Sequence, residues 1–305
     1  MARKSTTDNK KRIEQLLMMA WNTNSVARIL AIANQILELN PDCVEALVLK
    51  GDHLDDSNES IELFKRALKA IDDPNNCDPF DRDIVFLTVN QRIAFAYLGL
   101  GELDKAFEYC EVALKFEEEH QDNEYLHDET NSAMMKALYY RVLIERRDWS
   151  RILSDSMRDP DETLGRAFAK LIAAWCMSGD NAKTVCAGLF WDILTIAPDV
   201  PFYILGYMDE PDESDPPEAN EDFHFSLMYY DTVAVTDELF NWFSRGTILF
   251  GLLSGRFDSK EQDYMIDAID KLGGFEEYER MKEILLSTED SVVIETLAAN
   301  KCLTE

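Results

Sequence analysis

Apolar residues recur along this chain every three to four positions, the spacing that gathers them on one face of a helix. Ile13, Leu16, Leu17 and Ala20 predict a helix over 10–20. A second spans 24–39, with Ser25 placed as its N-cap and Asn40-Pro41 as its stop. Helices over 42–53 and 58–71 form the next pair, joined by the polar turn Asp55-Asp56-Ser57-Asn58. The polar insert from Asp72 to Asp83 carries Pro74 and Pro79 and reads as a loop. Pairs follow at 83–100 with 102–119, 130–146 with 148–157, and 161–178 with 180–197. A charged connection runs from Glu117 to Glu129, and residues 200–208 are a short apolar segment. Residues 209–222 hold eight acids, three prolines and no base, the composition of an exposed loop. Three or four more helices fill 222–301, around 222–234, 236–254, 259–272 and 275–287, with a break at Gly273-Gly274. Only Thr232-Val233-Ala234-Val235 is ambiguous between strand and helix.

The pattern is sharpest over 90–119. Leu103, Ala106, Phe107, Cys110, Ala113 and Leu114 make one apolar stripe, and Tyr109, Val112 and Phe116 make a second. A helix apolar on two faces is packed on two sides, as inside a stack of repeats. Ala94, Tyr97, Gly101, Ala106, Cys110, Ala113 and Leu114 fall at the spacing of a 34-residue helix-pair repeat. Small residues at 94 and 106 let two helices approach, and Gly101 permits the turn. Ala46, Gly51, Phe64, Ala67 and Leu68 repeat part of the pattern with a turn about three residues short. Tyr140, Trp149 and Ile152, then Trp175, Phe190 and Pro198, mark degenerate units.

These positions resemble the tetratricopeptide (TPR) family. Asn40-Pro41-Asp42-Cys43-Val44-Glu45-Ala46-Leu47 and Ala197-Pro198-Asp199-Val200-Pro201-Phe202-Tyr203-Ile204-Leu205-Gly206 narrow the likeness. They are similar to bacterial TPR-containing proteins distantly related to the suppressor-of-tumorigenicity TPR family, whose repeats end in a similar segment. The likeness covers roughly 25–255 and departs at Ala197, where Asn is usual, and in the acidic loop after Gly206. It implies an all-α fold: antiparallel helix pairs in an irregular, right-handed TPR-like solenoid with a C-terminal helical cap. The expected division is a basic, flexible tail over 1–9, degenerate repeats over 10–208, the acidic loop 209–222, and a helical region over 223–305. The family's first helices line a binding groove, which places Gln91 and Phe95, and from neighbouring repeats Asp52 and Arg141, on that groove.

Charge and composition bound the function. With 59 acids against 30 bases the net charge is −29. That field repels nucleic acid and anionic membranes and suits a basic partner. The most apolar stretch, Leu239–Leu253, is interrupted by Asn241 and Arg245 and falls short of the ~20 residues of a membrane span. Met1–Arg12 is polar and basic with no apolar core, unlike a secretory signal. The six cysteines show neither disulfide nor zinc spacing, so a cytoplasmic protein is expected.

Candidate chemistry is sparse. Glu117-His120, Glu124-His127 and Glu221-His224 share the Glu-x-x-His spacing of di-metal carboxylate bundles. All three sit in acidic segments rather than on facing core helices, so no metal site is expected from them. The acidic loop lacks the spaced ligand order of a calcium loop. No phosphate-binding glycine loop or nucleophile elbow occurs. The expectation is a protein- or peptide-binding scaffold with no catalysis, cofactor or metal. The alternatives are a peptide-sensing regulatory receptor and, last, a metal-dependent enzyme using the Glu-x-x-His pairs.

Overall fold

The computed structural model describes residues 2–120, 129–155, 163–212 and 215–304. Among them the chain is helical, with no strand, and its helices pack in neighbouring pairs. The chain divides into two compact units, residues 1–142 and 143–305.

The first unit opens with α1 (Ala2–Trp21) and α2 (Val26–Leu39). α1 begins at Ala2, ahead of the expected start near residue 10, because neither Gly nor Pro interrupts residues 2–21. Leu16, Leu17 and Ala20 of α1 meet Ile32 and Ile36 of α2, with Cys43 and Ala46 closing the cluster. Ser25 occupies the N-cap position of α2, but its side chain makes no capping hydrogen bond.

α3 (Val44–Gly51) pairs with α4 (Ser57–Ala70), and α5 (Arg82–Gly99) with α6 (Leu103–Glu119). Asp56 caps α4, accepting from the amides of Asn58 at 2.8 Å and Glu59 at 3.2 Å. Gly51 is forced by packing, since a Cβ there would lie 2.5 Å from the Phe64 ring. Ala94, Ala106, Cys110 and Ala113 are fully buried where α5 and α6 touch. Gly101 has φ +71°, the left-handed turn that glycine adopts freely. Tyr97 packs on Tyr109 at 5.8 Å and receives Lys65 from α4 over its ring, so one repeat's filler touches the repeat before it. The division between the units falls within α7 (Glu129–Glu145).

The second unit contains α8 (Trp149–Asp155), α9 (Leu164–Ser178), α10 (Ala182–Ile196) and α11 (Val200–Leu205). It continues with α12 (Pro217–Tyr229), α13 (Asp237–Ser254), α14 (Glu261–Lys271), α15 (Phe275–Ile284) and α16 (Asp290–Ala299). α9 pairs with α10 and α11 with α12, but α16 returns to pack on both α10 and α13. Trp242 donates its indole N–H to the Leu303 carbonyl at 2.9 Å. Leu303 itself is fully buried.

One expectation needs correction here and one ambiguity is resolved. The acidic segment 209–222 is not loop throughout: α12 begins at Pro217. Proline at the first helical position and Glu218 in the first turn both suit a helix start. The ambiguous run Thr232–Val235 is a short 3-10 turn with Thr232 and Val233 buried. No described helix is long and apolar enough to cross a membrane.

Candidate functional site

α3 and α5 are the first helices of their pairs, and each carries expected groove residues. Asp52 caps the C-terminus of α3. Gln91 and Phe95 stand four residues apart on α5 and so share one side of it. Phe95 is 57% exposed, whereas Ile93, Ala94 and Tyr97 on the same helix are buried. Arg92 links the two helices, its Nε 2.6 Å from the Asp52 carboxylate. Burial raises the Asp52 carboxyl above its usual range, and the Arg92 guanidinium works against that rise.

The structure thus brings Asp52 to the helix of Gln91 and Phe95, through a residue that sequence alone does not single out. Arg92 is legible there only as a base inside an apolar helix. Arg141 does not present a groove side chain: it is 8% exposed on α7. Its helix neighbours Leu138, Tyr139, Tyr140, Val142, Leu143 and Ile144 are all buried. With residues 137–144 buried on every side, Arg141 has no solvent side there.

A second concavity has no signature in the sequence. Lys50, Leu54, Leu63 and Arg66, with Glu59 and Glu62, line a pocket of about 370 Å³ at the end of α3 and along α4. Leucines and the stems of long charged residues give it an apolar lining under a charged rim.

The described histidines of the Glu-x-x-His pairs each face a backbone carbonyl one turn earlier. His120 turns its Nδ1 to the Phe116 carbonyl at 2.8 Å and stacks on the Phe116 ring at 4.0 Å. His224 turns its Nδ1 to the Asn220 carbonyl at 2.6 Å. The Glu124-His127 pair lies outside the described residues. Among the described residues no three His, Cys, Asp or Glu side chains gather as metal ligands would. Burial pushes the thiols of Cys43, Cys110, Cys186 and Cys302 up to about 12 and that of Cys77 to about 11. At neutral pH these thiols keep their protons, the opposite of what a thiolate nucleophile needs.

Asp222, in the acidic segment, is strongly perturbed. Burial, then the charges of Asp199 and Glu221, lift the Asp222 carboxyl from 3.8 to about 6. A folded pKa above the unfolded one means the folded state binds the extra proton between those values. The contribution of Asp222 to stability is therefore best below pH 4 and is lost as pH rises through 6. Asp222→Asn is expected to be more stable than the parent at pH 8, by on the order of 1 kcal/mol. Melting curves of both proteins from pH 4 to pH 8 check this. Equal gaps at both ends of the range would sink the assignment.

The chain matches no protein-family model, no curated protein and no solved structure.

Proposed function

We propose that this protein is a non-catalytic scaffold of the tetratricopeptide type that binds a protein or peptide on the exposed side of α3 and α5. The observation that carries the reading is Phe95. A phenylalanine 57% exposed on a helix whose other face is buried leaves more than half of its surface to solvent. Aromatic side chains of this kind anchor interfaces. Gln91 and the Asp52–Arg92 pair flank it with groups that can exchange hydrogen bonds with a backbone or side chain.

The helix-pair pattern supports the tetratricopeptide reading: the small residues at 94, 106 and 113 are buried, and Gly101 adopts the left-handed turn. The net charge of −29 favours a basic partner. The six cysteines are free and five of them buried, which suits a reducing compartment such as the cytoplasm.

The test is quantitative affinity capture from the encoding organism with the parent chain and a Gln91→Ala/Phe95→Ala double variant. The expected result is at least one partner recovered ten-fold less by the variant, with an unchanged melting temperature. Identical recovery by both chains would refute the reading.

A further inference from the structure

The insert between α4 and α5 is more than a spacer. It is a short loop, Ile71–Asp81, pinned at both ends and through its middle. Arg82 reaches back to Asp72 at 2.9 Å and also holds Asp83 at 2.7 Å. The Asn76 carbonyl accepts from the Val44 amide at 3.0 Å, and Asn40 donates to both the Asn75 carbonyl and the Asn76 side chain. Cys77 is buried at 3% exposure, which anchors the loop's centre. Asp78 accepts from the Phe80 amide at 3.0 Å through its carboxylate and from the Asp81 amide at 3.0 Å through its carbonyl. Pro79 fixes the backbone just before the tip.

On this braced loop Phe80 stands 93% exposed. The bonds that shape the loop use the backbone of residue 80 and not its ring. Any polar residue would serve the fold equally well, and a water-exposed phenyl ring contributes nothing to it. Burying such a side chain is worth roughly 2–3 kcal/mol. A loop already held in place loses little further freedom on binding. From Asp72 to Asp83 there are five aspartates and one arginine, and Asp73, Asp78 and Asp81 on the same loop are exposed.

We infer that residues 72–81 form a docking finger that inserts Phe80 into an apolar pocket of a basic partner protein, with Asp78 and Asp81 meeting lysines or arginines on the rim of that pocket. Charge selects this occupant. A second copy of the chain brings another −29 and another acidic finger, and an anionic membrane is repelled in the same way. The finger goes beyond the α5 surface proposed above, since α5 begins only at Arg82 and Phe95 stands about 20 Å along it at a rise of 1.5 Å per residue.

The experiment places the photo-reactive residue benzoylphenylalanine at position 80 of the full chain in its own organism, with position 69 on α4 as an exposed control. Cross-linked peptides are identified by mass spectrometry, and the captured protein is then purified and titrated. The expected result is an adduct from position 80 and not from 69. The cross-linked residue lies in an apolar pocket with at least two Lys or Arg within about 8 Å. Phe80→Ala weakens binding of that protein by about 30- to 150-fold, the burial gain expressed as an affinity ratio. Asp78→Asn/Asp81→Asn weakens it about three- to ten-fold and flattens its salt dependence. Phe80→Ala keeps the parent melting temperature, and Phe95→Ala leaves the position-80 adduct intact.

Four results would overturn the finger. They are no adduct above the control, an adduct to a second copy or to lipid, unchanged affinity in Phe80→Ala, and a melting temperature lowered by more than a few degrees. The last would make Phe80 a folding residue.

Discussion

Arg256→Met is expected to lower the unfolding free energy of residues 143–305 by about 3 kcal/mol. Arg256 follows the C-cap of α13 and binds both oxygens of Asp290, at 2.6 and 2.7 Å. Its Nε also reaches Asp199 at 3.0 Å, and the guanidinium lies over the rings of Phe250 and Phe202. One side chain, 17% exposed, therefore ties the start of α11, the end of α13 and the start of α16. Removing it leaves two carboxylates facing each other with no cation between them. Replacing the whole group by neutral residues avoids that penalty. The triple variant Arg256→Met/Asp199→Asn/Asp290→Asn is expected to recover more than half of the loss. Tryptophan fluorescence during urea unfolding reads this directly, because Trp149, Trp175, Trp191 and Trp242 lie in the second unit and only Trp21 in the first. A triple variant no more stable than the single one would show that the stranded charges are not the cause.

Phe190→Ala is expected to cost about 4 kcal/mol in the same unit, and Phe190→Leu well under half of that. Phe190 is fully buried on α10. Its ring meets Trp191 at 5.2 Å, Trp242 at 5.7 Å and Phe243 at 5.2 Å, each close to edge-on. Phe168 on α9 extends the cluster to Phe225, Tyr229 and Phe243. Alanine would remove a ring's worth of apolar contact from the middle of four helices and leave a void that rigid aromatic neighbours fill poorly. Urea midpoints at constant slope measure the loss. A drop below 1 kcal/mol would mean that the cluster repacks, and the rigid-core reading would fail.

Helical periodicity made most of this fold legible, because a 3.6-residue stripe survives whatever the helix packs against. α5 and α6 lie within about one residue of their expected ends, since Ala94, Tyr97, Gly101 and Ala106 fix both the contact and the turn. Periodicity said less where a helix is short or buried all round. Thr232–Val235 carries β-branched residues that favour a strand, yet Asp231 and the cap at Thr236 confine it to a single turn. α12 hid behind its own acids, which look like a loop until Pro217 is read as a helix start. α16 was not separated from the end of the chain, because Asn300 and the residues beside it carry no strong stop.

The site was legible only by analogy. Repeat register placed Gln91 and Phe95 on an accessible side of α5. The same register sent Arg141 to the groove, and the burial of α7 overrode it. The partner of Asp52 is not legible in the sequence, because the Arg92 contact crosses from one helix pair to the next and no local spacing encodes it. In the sequence Phe80 is one residue of a polar insert, and sequence alone does not tell a ring held out in water from one folded under.

The return of α16 to α10 and α13 sets when each half of the molecule is finished during synthesis. Helices α1 to α6 touch their sequence neighbours, so they can complete one another while the ribosome is still translating the second unit. The second unit also pairs neighbouring helices, but its core closes only when α16 returns. The indole of Trp242 waits for a carbonyl 61 residues downstream. Until that stretch of chain emerges, the aromatic cluster around Phe190 has no cover. Nascent chains stalled near residue 285 are therefore the ones expected to need a chaperone.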